Sequence, residues 1–164
     1  MCIRSKRSRN CRYNFATNSF KLSYAKPDKQ HIALMFVDLD HFEPINNTLG
    51  HVVGDWLLKE VANRMRACVR ESDTVARAGG DEFVVLLRTV ENKTDAVMVA
   101  EKIRNVLNKP FELAQQSLQI SCSIGLALHP EHAKNESELM DYADIAMYRA
   151  KQTGRNKVMV FQPI

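Results

Sequence analysis

The stretch Arg77-Ala78-Gly79-Gly80-Asp81-Glu82-Phe83 decides how this chain is read. Residues 73–78 before it and 83–87 after it have the apolar, β-branched composition of strands. Gly79-Gly80 between them is a hairpin signal, because tight turns need positive φ and glycine takes it without steric cost. Two adjacent carboxylates, Asp81 and Glu82, therefore stand just past a β-turn, where backbone can approach a ligand closely. The plain alternative is a solvated turn, but a hairpin that only reverses the chain needs no pair of acids.

A second acidic element lies upstream. Ile32-Ala33-Leu34-Met35-Phe36-Val37 is a continuous apolar run, the pattern of a central strand buried on both faces. It ends in Asp38-Leu39-Asp40. A carboxylate at the end of a buried strand is costly unless it is paired, hydrogen-bonded or bound to a cation. Asp40 reads as a helix or turn cap; Asp38 is not explained that way. If the two strands are neighbours, Asp38 converges with Asp81 and Glu82, and such hard oxygens suit Mg²⁺ or Mn²⁺. Their basic counterpart is Lys151-Gln152-Thr153-Gly154-Arg155, where Lys151 and Arg155 are spaced to clamp phosphate oxygens. Taken alone, Lys151 is better read as a cation placed favourably at a helix C-terminus, a common arrangement.

Around these elements the chain reads as alternating helices and strands. Residues 13–25 carry Phe15, Phe20, Leu22 and Tyr24 and suggest a helix of weak periodicity, stopped by Pro27-Asp28. Residues 41–50 are turn-rich. Val53, Leu57, Val61, Met65 and Cys68 recur at helical spacing as far as Arg70, with Trp56 on the inner side. Thr94 is the expected cap of a second helix with Val97, Ala100, Ile103 and Leu107 inward, closed by Pro110. Residues 111–113 and 118–128 read as strands. Ser137 is the expected cap of a third helix with Leu139, Ala143, Ala146 or Met147, and Ala150 inward, and Gly154 suits its C′ position. Residues 157–161 form a last strand. The pattern predicts an α+β domain, a sheet with helices packed on it.

Composition narrows the class. The 164 residues are enough for one domain with a sizeable core, and 45% hydrophobic with 26% charged is ordinary globular usage. No apolar run approaches the roughly 20 residues that span a bilayer, and the basic start has no apolar stretch behind it. Cys2, Cys11, Cys68 and Cys122 are scattered without a Cys-x-x-Cys pair, which predicts reduced thiols in a cytoplasmic protein. Residues 1–30 hold 8 Lys/Arg and 1 acid, whereas the other 134 residues hold 15 Lys/Arg and 18 acids. The net charge of +4 is thus an acidic body behind a basic segment. We divide the chain into that segment, residues 1–30, expected to be poorly ordered or partly helical, and a domain over residues 31–164. A basic segment can touch nucleic acid or anionic lipid, but no basic face continues into the domain, which argues against a nucleic-acid-binding module.

Four stretches together resemble the GGDEF family of diguanylate cyclases: Asp-Leu-Asp-His-Phe at 38–42, Ile-Asn-Asn-Thr-Leu-Gly-His-Val-Val-Gly-Asp at 45–55, Arg-Ala-Gly-Gly-Asp-Glu-Phe at 77–83, and Ala-Lys-Gln-Thr-Gly-Arg-Asn at 150–156. The resemblance covers residues 32–161. It implies a central, mostly antiparallel sheet with flanking helices, like that of class III nucleotide cyclases and polymerase palms. It implies condensation of two GTP into cyclic di-GMP with release of pyrophosphate, by a two-metal mechanism on a homodimer. It implies that Asp38, the Leu39 carbonyl, Asp81 and Glu82 bind metal, with either signature acid free to serve as base. Phe42, the residue at 43, Asn46, Asp55, Lys151 and Arg155 would lie at the substrate. Asn46 and Asp55 would read guanine, while Lys151 and Arg155 would hold the triphosphate. Arg70 and Asp73 match an Arg-x-x-Asp site for inhibitory cyclic di-GMP; their plainer reading is a helix-ending salt bridge. A sensor or EAL phosphodiesterase domain fused to the chain is also implied, with no membrane contact by this domain.

Three departures from the family pattern stand out. Glu43 occupies a position where the family commonly has lysine, and an anion there opposes phosphate binding. Asn46-Asn47 replaces an Asn-Asp pair, which keeps the guanine-contacting asparagine. The usual Leu-Thr-Gly-x-x-Asn-Arg start is absent, with Ser8-Arg9-Asn10-Cys11-Arg12 in that region. The alternative function is a catalytically weak domain that binds GTP or cyclic di-GMP to regulate a neighbour.

Overall fold

The run from Ile32 to Val37 is central because both of its faces are covered. In the computed structural model, which describes residues 2–3, 11–14, 19–22, 31–113 and 115–163, this run forms the middle of a ten-residue strand. In chain order the elements are β1 (Cys2–Ile3), β2 (Cys11–Asn14), β3 (Ser19–Leu22), β4 (His31–Asp40), α1 (Phe42–Leu49), α2 (His51–Cys68), β5 (Thr74–Gly79), β6 (Glu82–Val90), α3 (Lys93–Leu107), β7 (Phe111–Leu113), β8 (Gln116–Leu118), β9 (Ser121–His129), α4 (Glu136–Gln152) and β10 (Lys157–Val160). Six strands form the main sheet in the order β1-β5-β6-β4-β9-β10. Only β10 runs parallel to its neighbour. The fold is α+β, as expected.

Alternation along β4 divides the core in two. Ala33, Met35, Val37 and Leu39 pack with Leu57, Val61 and Met65 of α2 and Ala100 and Ile103 of α3. Leu34 and Phe36 pack with Leu139, Ala143, Ala146 and Met147 of α4. Most inward residues read from α2, α3 and α4 lie in these layers, with Trp56 and Val97 half-buried against them; Ala150 is buried outside them, and Val53 is only half-buried and joins neither.

Several local features differ from the sequence reading. Tyr13 and Asn14 end β2, and Ser19–Leu22 is the antiparallel partner of that strand. The described part of residues 13–25 is therefore extended, not helical; the rest, with residues 1, 4–10 and 26–30, lies outside the described residues. Residues 41–50 hold the helix α1, which burial of Phe42 ties to the core. The caps of α3 and α4 are Asn92 and Asn135, whose side chains accept from the N–H groups of Asp95 and Glu138. They stand two residues ahead of Thr94 and Ser137. The long strand expected over 118–128 is split, with β8 ending at Leu118 and β9 beginning at Ser121. The tight turn is Gly80-Asp81, since Gly79 pairs with Glu82, and Gly80 supplies its positive φ of 49°.

One close approach sets the position of α4. A Cβ on Gly125 of β9 would stand 2.0 Å from the Ala143 carbonyl oxygen and 2.1 Å from the Met147 nitrogen. Only hydrogen fits there. Gly125→Ala must lift α4 off the sheet, and we expect it to lower the unfolding free energy by about 1–3 kcal/mol, the cost of overpacking a filled core. Urea denaturation measures this; an unchanged midpoint would show that α4 can rise without loss.

Candidate active site

The register of the sheet brings the acids together. Asp38 of β4 pairs directly with Glu82 of β6. Side chains so opposed have Cβ atoms about 5 Å apart. The Leu39 N–H donates to the Asp81 carbonyl at 3.2 Å, which fixes the turn against the end of β4. From the other side, Lys151 in the last turn of α4 reaches Asp38, Nζ to Oδ2, at 2.6 Å. An open cleft is lined by Asp38, Glu82, Asp144, Tyr148 and Lys151 among others.

Asp38 is 3% exposed, and its Oδ1 is buried without a hydrogen-bond partner. Burial pushes its carboxyl up to about 6, resisted by the Lys151 hydrogen bond and reinforced by the charge on Asp81. Glu82 is also raised, first by burial and then by the charges of Asp144 and Asp81. Asp144 is raised by burial and by Asp141. One ammonium thus serves several carboxylates, and each holds its proton more tightly than usual. An added cation would relieve that repulsion.

The donor set fits a hard divalent ion such as Mg²⁺ or Mn²⁺. It consists of carboxylate oxygens at adjacent strand ends, one of them buried and unpartnered, beside the Leu39 backbone. Among the described residues no group of three or more His, Cys, Asp or Glu side chains could hold a metal alone.

The remaining residues named from sequence fall in other places. Asn46 of α1 lies against Gly54 of α2, where an added Cβ would stand 1.7 Å from its Oδ1. That oxygen is buried and unpartnered, and exposed Asp55 is the next residue along α2. The missing side chain at 54 is therefore what lets Asn46 pack against α2. Phe42 is buried in the core, while Glu43 is exposed in the first turn of α1, where an acid also suits the helix dipole. Arg155 is exposed in the turn after α4. Arg70 and Asp73 lie at the other end of β5, about 20 Å of strand from the Gly80-Asp81 turn. The Asp73 carboxylate accepts from the N–H groups of Arg70, at 2.9 Å, and Arg88, at 3.1 Å. It braces the turn between α2 and β5 against β6.

Asp40 is no cap: the N-cap of α1 is His41, which makes no side-chain capping bond. Its buried carboxylate instead accepts from Ser121, Ser123 and the Asn156 N–H. Asp144 is a cleft acid that the sequence reading passed over. Its signal was helical spacing, because 144, 148 and 151 share one face of α4.

Comparison with known proteins bears on the family and the fold. The profile of the family described as "Diguanylate cyclase, GGDEF domain" matches residues 9–157, beginning well before residue 31. The chain is 46% identical over 135 residues to the bifunctional diguanylate cyclase/cyclic di-GMP phosphodiesterase MucR of Pseudomonas aeruginosa, covering 82% of this chain and 20% of that protein. It is 43% identical over 132 residues to the diguanylate cyclase TpbB of the same species, covering 80% and 30%. The crystal structure of the TpbB GGDEF domain superposes with a TM-score of 0.81 at 40% identity, covering 84% of this chain and 86% of that one. The chain spans between a fifth and a third of these two curated relatives. Among the described residues no helix is long and apolar enough to cross a membrane.

The burial of Asp38 has a consequence for stability. Its carboxyl rises from the ordinary 3.8 to about 6, so folding takes up a proton between those values. The stability it contributes is fully present below about pH 4 and is lost as pH rises through about 6, on the order of 3 kcal/mol. In metal-free buffer, urea unfolding should show the wild-type chain losing stability relative to Asp38→Asn between pH 4 and 7. Parallel profiles for the two proteins would remove Asp38 as the source.

Proposed function

This chain belongs to the GGDEF family of diguanylate cyclases, and from that premise we propose that it condenses two GTP into cyclic di-GMP with release of pyrophosphate. The observation that carries the reading is the convergence of Asp38, Glu82 and Lys151 at one end of the sheet, with one buried Asp38 oxygen left unpartnered. Mg²⁺ or Mn²⁺, when bound by Asp38, Glu82, Asp81 and the Leu39 carbonyl, supplies positive charge to the attacking and leaving oxygens.

The chain's own residues account for the rest. In each half-reaction the 3′-oxygen of one GTP bonds to the α-phosphorus of the other, and the bond from that phosphorus to the bridging oxygen of pyrophosphate breaks. The hydroxyl proton passes to a carboxylate and then to solvent. Glu82 suits that role, since it faces the cleft and its affinity for a proton is already raised by burial and neighbouring acids. Lys151 and Arg155 hold the triphosphate as it gathers negative charge. Asp55 accepts from the N1 and N2 hydrogens of guanine, and Asn46 is its companion reader. One chain carries one such half-site, so two copies must face each other across the paired nucleotides.

Feedback belongs to the same reading. Arg70 offers an exposed guanidinium for a cyclic di-GMP phosphate or base edge, while Asp73 shapes the turn beneath it. Calorimetry in which Arg70→Ala binds cyclic di-GMP as well as the wild-type chain would end that assignment. The whole protein is read as cytoplasmic at this domain, with a sensor or EAL domain fused to it.

Incubation with GTP and Mg²⁺ followed by chromatography tests the activity. Cyclic di-GMP and pyrophosphate should form with the wild-type chain and be absent with Asp38→Asn, because a neutral amide is a poor ligand for a hard cation. Near wild-type turnover by that variant would take Asp38 out of the site.

Exposed Glu43 favours a second reading, a domain that binds nucleotide but turns it over slowly. Unit charges about 4 Å apart interact by about 4 kcal/mol at an effective dielectric of about 20, and salt reduces this. Glu43→Lys should raise the initial rate at saturating GTP at least several-fold, despite a loss of about 0.3–1 kcal/mol at the start of α1. A rate that is unchanged or lower would show that residue 43 does not face the triphosphate.

A further inference from the structure

We propose that Asp40 is a positioning residue for the nucleotide: it holds the turn after α4 in the shape that presents Arg155. The inference rests on the reading of Arg155 as a triphosphate ligand. Asp40 lies two residues beyond Asp38, on the same face of β4. It is 3% exposed, and three donors converge on it: Ser121 Oγ and Ser123 Oγ, each at 2.7 Å, and the Asn156 N–H at 3.0 Å. Both serines are on β9, where Ser121 pairs with Asp40 and Ser123 with Asp38. Ser123 nevertheless donates to the diagonal acid, which satisfies Asp40 and leaves Asp38 Oδ1 unpartnered.

The third bond joins β4 to a turn of unusual backbone. Gly154, Arg155 and Asn156 have φ of 116°, 60° and 46°. Left-handed residues other than glycine persist where their surroundings determine them, and arginine is not a residue that favours this region. The Arg155 N–H closes α4 by donating to the Ala150 carbonyl at 3.0 Å. The Asn156 side chain accepts from Arg104 of α3 at 3.1 Å. Asp40 supplies the buried anchor, and a hydrogen bond to a carboxylate is stronger than one between neutral groups. One strand end thereby fixes two things at once. Asp38 faces the cleft, and Asp40 ties the basic turn to the same rigid frame.

The test uses the 164-residue chain, Mg²⁺ and an α,β-methylene analogue of GTP, with binding read by calorimetry. Asp40→Ala should weaken binding by about tenfold or more, whereas Asp40→Asn, which keeps an acceptor for the Asn156 N–H, should stay within about threefold. In an Arg155→Ala background, Asp40→Ala should add less than about twofold, because both substitutions remove the same contact. An equal loss with and without Arg155 would overturn the proposal. Arg155→Ala that binds the analogue as tightly as the wild-type chain would instead remove the reading of Arg155, and the proposal with it. If Asp40→Ala does not fold, hydrogen exchange on the wild-type chain decides. An Asn156 amide protected like those of β10 supports the anchor, and one exchanging at the rate of open loop overturns it.

Discussion

Helix α4 rests directly on the backbone of β9 at Gly125, and the cleft depends on that contact. The helix carries Lys151 at one end and the buried row Leu139, Ala143, Ala146 and Met147 along its length. A larger residue at 125 would raise the helix axis, and the short Asp38–Lys151 ion pair would open with it. Small side chains facing the sheet serve the same end, since Ala143 and Ala146 keep the helix close while Leu139 and Met147 fill the flanks. The chemistry at the strand ends is thus set by packing some distance away.

Charge in the cleft is the second constraint. Asp38, Glu82 and Asp144 are all drawn toward their protonated forms by burial and by one another. Lys151 offsets part of this and is itself committed to Asp38. Such an arrangement is costly for a protein that only needs to fold, and it becomes intelligible if a cation and a phosphate chain enter together. The ammonium then has a second partner to move to, and the carboxylates gain the charge they lack.

Much of this was legible in the sequence, for reasons that can be named. The run from Ile32 to Val37 has no polar alternation because both faces are covered, so its burial shows directly in composition. The inward rows of α2 and α4 were visible because apolar residues recur at helical spacing. Asp38, Asp81 and Glu82 stood out as acids at strand ends. What escaped depended on partners distant in the chain. Asp40 looks like a cap from its neighbours alone, and its true donors, Ser121, Ser123 and Asn156, lie far along the sequence. Helix α1 has Pro44 and two asparagines and little intrinsic propensity; docking of Phe42 and packing on α2 sustain it. Asn92 and Asn135 win as caps because each side chain reaches the N–H three residues on, whereas the hydroxyl residues two places later already lie inside the helix. The parallel pairing of β10 with β9 had no local signal either, since strand order is a property of the whole chain.

The raised carboxylates carry a consequence for how such a protein can be improved. Each acid in the cleft is held at some expense to the folded state, so neutral replacements at 38 and 82 lie downhill in stability. A library selected only for heat resistance, in buffer free of metal and nucleotide, would drift toward amides and small apolar residues there. Its survivors would fold better than the parent after losing the chemistry. Any engineering of this scaffold therefore has to select for ligand and stability together, because the two reward opposite choices at the same strand ends.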